Sequence, residues 1–219
     1  MAFVIENALE KWANIKAFIS DWDGVFNDGQ KNPTLSGYFS ESDSMGLNLL
    51  RYSKYLQNQK IPPFAIITGA DNPTAIEFAK RERLQNVYSK ILDKKVAFQD
   101  FCQKNNLKTE EVAFFFDDVN DLGVAKLCGM RFLIRRNATP LFTEFVKKNN
   151  LCDYISTEQG GQHALREICE NIWQLENNYE KIINDRAEFV PTYQTYFSLR
   201  QKQTTTFFKW IDGNIIQDN

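Results

Sequence analysis

Histidine is nearly missing from this chain, with His163 the single imidazole among 219 residues. That excludes His-rich metal centres and paired-imidazole relays, and leaves acid, base and metal chemistry to carboxylates, hydroxyls and lysines. Cysteine is sparse as well. Cys102, Cys128, Cys152 and Cys169 form no CxxC clip, so reduced core thiols are expected rather than a zinc site or a disulfide scaffold. No uninterrupted apolar run approaches the ~20 residues that cross a bilayer. The start, Met1-Ala2-Phe3-Val4-Ile5-Glu6, lacks the basic flank and apolar core of a signal. A cytoplasmic protein with no membrane partner is the expectation. A charge excess of one sign is also lacking: 26 Lys and Arg stand against 28 Asp and Glu, which argues against nucleic acid as a partner.

What is present is a globular composition, 43% hydrophobic and 14% aromatic, on a chain long enough to bury a core. Short apolar runs at 15–20, 64–67, 112–116 and 130–134 read as buried strands. Helical stretches fall between them near 44–59, 73–83, 93–105 and 119–128, the second with Asn72 placed to cap it and Pro73 at its first position. The alternation predicts an α/β fold, a three-layer Rossmann-like parallel sheet with helices on both faces. Gly24, Gly29, Pro33 and Gly37 punctuate residues 24–40, which read as a loop or β-hairpin flap projecting after the first strand, too short for a large cap domain. Leu165, Ile168, Ile172, Leu175, Tyr179 and Ile182 follow at spacings of 3, 4, 3, 4 and 3, which predicts one face of a long helix. Its partner surface is either the chain's own sheet or another subunit. The aromatic-rich stretch after Pro191 is expected to pack on the body of the chain or on a neighbour.

Three of the strands run into polar residues: Asp21-Trp22-Asp23-Gly24, Thr68-Gly69 and Asp117-Asp118-Val119-Asn120-Asp121. In an open parallel sheet the carboxyl ends of the strands form the ligand crevice, so these groups converge although a hundred positions separate them. Asp21 and Asp23 lie two apart, which in extended backbone turns both carboxylates to one side, one to attack and one to move a proton. Asp117 and Asp118 add hard oxygens. A carboxylate cluster without sulfur or imidazole suits Mg²⁺. Taken singly, each group has an ordinary structural explanation as a turn, a strand end or a helix start.

The run Asp21 to Gly29 resembles the DxDGVxxDG signature of the haloacid dehalogenase-like phosphatases, in the extended form of their capless branch, which contains the 3-deoxy-D-manno-octulosonate 8-phosphate phosphatases. Ile66-Ile67-Thr68-Gly69, Asp93-Lys94 with Ala97-Phe98, Asp117 to Asp121, the segment Phe39 to Leu50, and Gly160 to Glu167 resemble the other family motifs in family order. The likeness spans about residues 15–172, giving a phosphatase domain over 1–172 and, over 173–219, a C-terminal helix and aromatic-rich extension with oligomer or lid contacts. The resemblance implies an Mg²⁺-dependent phosphatase for a phosphorylated sugar acid, with a place in making surface polysaccharide. It implies Asp21 as nucleophile and metal ligand, and Asp23 as general acid and base, also touching the metal through its carbonyl. Thr68 would donate to a phosphoryl oxygen and Lys94 would neutralise charge. Asp117 would complete the metal shell, with Gly69, Asp118 and Asp121 in support. It also implies a homotetramer.

Three positions depart from the family pattern. Ala70 stands where an arginine commonly follows the second motif, Phe116 where the fourth motif has glycine, and His163 where a small residue precedes the final Ala. Ala70 motivates an alternative substrate such as a nonulosonate 9-phosphate. Phe116 is expected either to crowd the metal site or to repack the strand end. Together with the long tail, Phe116 also motivates a non-catalytic assembly protein on the same scaffold.

Overall fold

A computed structural model describes residues 7–31 and 37–218. Its elements are α1 (Ala8–Asn14), β1 (Ala17–Ser20), α2 (Glu41–Asn58), β2 (Phe64–Ile67), α3 (Pro73–Glu82), β3 (Asn86–Ser89), α4 (Lys94–Lys104), β4 (Val112–Phe116), α5 (Leu122–Ala125) and β5 (Met130–Arg135). They continue with α6 (Pro140–Lys148), β6 (Tyr154–Gln159), α7 (Ala164–Leu175), α8 (Tyr179–Ala187), α9 (Pro191–Gln201), β7 (Thr206–Ile211) and β8 (Asn214–Asp218). The strands form one sheet in the order β6-β5-β4-β1-β2-β3-β7-β8. Neighbours pair in parallel except β7 with β8, which run antiparallel.

The central strands are apolar end to end because both faces are covered, the normal condition of a parallel sheet. Their alternation divides two cores. Phe115 of β4 joins Trp12, Leu50, Phe78, Ile168 and Trp173 on one face. Phe114 and Phe116 join Phe98, Phe101, Val124 and Val146 on the other. Three layers result, as the periodicity predicts. All four cysteines are free thiols, buried, and no helix among the described residues is long and apolar enough to cross a membrane.

The long helix expected through residues 165–182 is instead two. Leu175 ends α7, and the Asn177 amide bonds back to the Gln174 carbonyl while the Asn178 amide reaches that of Trp173. With Asn177 at φ 55°, this is a Schellman stop, and asparagine tolerates the left-handed backbone it requires. The apolar spacing survives the break because α8 resumes close enough for Ile182 to enter the same core. The flap expected over 24–40 falls partly on residues 32–36, outside the described residues; the described parts, 24–31 and 37–40, carry no strand.

Residues beyond α8 pack on the chain's own body. β7 lies beside β3 and extends the sheet, while Tyr193 and Tyr196 of α9 pack their rings around Tyr52 at 5.0 and 5.2 Å. A buried polar knot fixes α9. Arg200 donates to Asn48 and to Glu82, each at 3.0 Å, Asn48 donates to Tyr193 at 2.7 Å, and Ser44 donates to Glu82 at 2.7 Å. Breaking a buried charge pair from one side costs about 3 kcal/mol or more, and removing Arg200 leaves Glu82 with Arg81, at 3.3 Å, as its charged partner. Arg200→Ala is therefore expected to lower unfolding free energy by about 3 kcal/mol in urea titration. A change within experimental error would mean that α9 is not held by this knot.

Candidate active site

The convergence expected from the strand ends follows from β1, β2 and β4 lying side by side in one direction. The Asp21 amide continues the ladder by donating to the Phe115 carbonyl at 3.0 Å, and the Thr68 amide to the Tyr88 carbonyl at 2.8 Å. Asp117 immediately follows β4. Lys94 arrives from the first turn of α4, whose cap is Asp93 accepting from the Lys95 amide. A cleft of about 440 Å³ opens at this edge, and its walls include Asp21, Asp23, Thr68, Gly69, Lys94, Asp117 and Asp118.

Lys94 sits between two carboxylates, 2.8 Å from Asp21 Oδ2 and 2.6 Å from Asp121 Oδ1. Burial alone would pull its ammonium toward neutrality, but the two carboxylates outweigh that and hold it above the ordinary lysine range. Asp121 is engaged on its other oxygen too, by the amides of Asp117 and Asp118 at 3.5 and 3.4 Å. It therefore positions Lys94 and the loop after β4. Asp118 turns its carboxylate onto the Val119 amide at 2.7 Å.

Asp21, Asp117 and Asp121 each offer an oxygen, all within 4.8 Å of one another. Burial first, and then the Asp121 charge, push Asp21 up to about 7 against the pull of Lys94. Burial first, then Asp21 and Asp121, push Asp117 up to about 8 despite Arg136. The cluster thus holds more negative charge than its own cations balance. Asp21, Asp117 and Asp121 bring together side-chain oxygens alone, and all-oxygen donors fit a hard divalent cation.

Asp23 lies outside the carboxylate triad. Its Oδ2 meets Lys31 at 2.7 Å and the Asn72 side-chain amide at 2.9 Å, while Oδ1 has no hydrogen-bond partner among the described residues. Asn72 also donates to Thr68 Oγ1 at 2.8 Å. Thr68 accepts there and from the Ala70 amide, which leaves its own proton for a group in the cleft. Asn72 thus corrects the capping expectation. It occupies the N-cap position of α3, but its side chain caps no amide and aligns two site residues instead.

Arg136 was not foreseen. It follows β5 and donates from Nε to Asp117 Oδ2, and Gly24 makes room for it: at φ +81°, a Cβ there would lie 1.9 Å from the Arg136 Nη2 and 2.1 Å from Asp117 Oδ2. Lys31 was likewise missed. Phe116 does not crowd the site; it is buried in the opposite core, stacked on Phe114 at 5.5 Å. His163 is exposed beside Ser40, 3.1 Å from its hydroxyl.

No family model matches the chain. It is 27% identical over 176 residues to the 3-deoxy-D-manno-octulosonate 8-phosphate phosphatase KdsC of Haemophilus influenzae, spanning 76% of this chain and 87% of that protein. It is 26% identical over 182 residues to the KdsC of Yersinia pestis, spanning 81% and 89%. A Moraxella catarrhalis 3-deoxy-D-manno-octulosonate 8-phosphate phosphatase, solved with magnesium, phosphate and KDO, superposes with a TM-score of 0.66 at 28% identity, covering 85% of this chain and all of that one. A Legionella pneumophila hydrolase of the HAD superfamily, subfamily III A, superposes with a TM-score of 0.68 at 29% identity, covering 84% and 96%.

The charge imbalance has a thermal signature. Asp21 and Asp117 hold their protons more tightly in the native state than at the ordinary value of 3.8. The stability this contributes is full below about pH 4 and is lost as pH rises through about 7 and 8. In EDTA this contribution to the Tm is expected to fall between about pH 4 and about pH 8, with Asp117→Asn flattening the fall and an added hard divalent cation recovering most at the upper end. A pH-independent Tm with no cation effect would contradict the proposed charge balance.

Proposed function

We propose that this chain, a haloacid dehalogenase-like phosphatase and so a phosphoric monoester hydrolase, acts on a phosphorylated sugar acid of the 3-deoxy-D-manno-octulosonate 8-phosphate type through an aspartyl-phosphate on Asp21. The observation that carries this reading is Lys94 held between Asp21 and Asp121 at the floor of a cleft that Asp23 and Thr68 also face.

Asp21 attacks phosphorus as the bond to the sugar oxygen breaks, and Asp23 gives that oxygen its proton. Asp23 then takes a proton from water, which attacks the aspartyl-phosphate and releases inorganic phosphate with Asp21 regenerated. Lys94 favours the ionised form of Asp21 and neutralises the phosphoryl oxygens, and Thr68 donates to one of them. The place of Asp23 on the cleft wall supports its acid and base role. Asp21, Asp117 and the Asp23 carbonyl would hold Mg²⁺, which when bound supplies further charge neutralisation to the phosphoryl group. Gly69, Asp118 and Asp121 support this arrangement.

Residues 1–172 form the phosphatase domain in this reading, and 173–219 an extension of it. The protein assembles as a homotetramer. Leu92 is 84% exposed on the cleft wall and Val119 is 61% exposed, apolar surface that another copy would cover. A monomer in sedimentation at micromolar concentration would refute the assembly.

Ala70 lines the cleft without offering charge, which favours as a second reading the same chemistry on a nonulosonate 9-phosphate. A screen of phosphorylated sugars separates the two, and turnover confined to substrates without a carboxylate rejects both. The intact acidic set speaks against a non-catalytic scaffold. Phosphate release from 3-deoxy-D-manno-octulosonate 8-phosphate is expected to need Mg²⁺, to stop in EDTA, and to fall about 10⁴-fold in kcat in Asp21→Asn. Metal-independent release, or release unaffected by Asp21→Asn, would overturn the mechanism.

A further inference from the structure

Beside the phosphoryl cleft lies a second cavity of about 350 Å³, bounded by residues that include Gly24, Asp28, Tyr38, Gln159 and Gln162. Among the described residues, Arg136 lines both cavities. We propose that Arg136 is a substrate-binding residue that selects for a carboxylate on the leaving group, which lies in this second cavity while its phosphoryl end enters the cleft. The inference rests on the phosphatase reading and specifies how substrates are chosen.

Charge accounting leads to this residue. In the cleft, Lys94 is held by Asp21 and Asp121, and Lys31 by Asp23. Arg136 binds Asp117 through Nε, the inner nitrogen of a planar fork. A guanidinium fixed that way keeps its two terminal nitrogens for a planar anion, the geometry that matches a carboxylate with two parallel hydrogen bonds.

Its position is built by the backbone. Gly24 and Gly29 both lie at positive φ, and a Cβ on either would come within 1.9 or 2.9 Å of Nη2. The loop after β1 therefore forms a niche that admits the guanidinium, and the side chain is 30% exposed, open to a ligand. Around it, the Gln159 and Gln162 amides and the Tyr38 and Asp28 oxygens are of the kind that bind sugar hydroxyls.

The test compares 3-deoxy-D-manno-octulosonate 8-phosphate with its methyl ester, which keeps every hydroxyl and loses the carboxylate charge. In the wild type the acid is expected to have the lower KM. Arg136→Gln should reduce that preference about 10- to 100-fold, read mainly in KM, and Arg136→Lys, which keeps charge without the fork, should restore part of it. Calorimetric titration of unphosphorylated 3-deoxy-D-manno-octulosonate and of its methyl ester into each Mg²⁺-loaded protein gives a readout independent of turnover, with the same ranking expected. Melting curves confirm that the variants fold. Equal losses for acid and ester would assign Arg136 to Asp117 or the phosphoryl group alone and overturn the inference, as would a wild type that does not distinguish the two. A wild type that hydrolyses neither phosphate but binds the free acid through Arg136 would overturn the phosphatase reading and leave Arg136 as a carboxylate-binding residue alone.

Discussion

Lys94 carries its charge inside the protein because Asp21 and Asp121 flank it, and each of those carboxylates is placed by something else. An unpaired ammonium at that depth would cost several kcal/mol. Asp121 is pinned by two amides of the loop after β4, and Asp21 by the ladder to that same strand and by the Trp22 amide at 2.7 Å. The ion pair therefore ties the start of α4 to the ends of two strands. Asp117, beside the pair, has Arg136 as its partner, so three clustered carboxylates share two cations and the local balance fails there. The candidate metal site is that failure seen from the side of the ligand.

Much of this was legible in the sequence because a parallel sheet converts linear pattern into position. Runs such as Phe64–Ile67 and Val112–Phe116 could only be buried strands, and the structure gives them those same bounds. With the strands parallel, their final residues had to meet, so Asp21, Thr68 and Asp117 share one edge. β3 escaped notice because it is four residues long with Asn86 and Ser89 at its ends, polar groups that are buried here. β7 and β8 escaped because partial exposure mixes polar with aromatic residues. The break at Asn177 was hidden by apolar spacing that continues unchanged across it.

Within the site, the residues that escaped reading are those whose role comes from a distant partner. Arg136 ends a run Ile134-Arg135-Arg136 with nothing to separate it from a solvated basic pair. It becomes part of the site only through Asp117 and the space left at Gly24. Asn72 beside Pro73 carries a strong local helix-start signal, yet the tertiary demand of Asp23 and Thr68 takes its side chain. Lys31 sits in a polar loop where any lysine would look ordinary. Local pattern announced Asp21 and Asp23, whereas the groups that orient them are defined by contact.

The pairing of β7 with β3 joins residues 86–89 to 206–209, so one flank of the sheet waits on a partner more than a hundred positions away. During synthesis the earlier strands emerge and can associate while the β3 flank still shows unpaired amides and carbonyls. Only β7, once it is free to pair, supplies the cover. Until then the nascent chain has a sticky border.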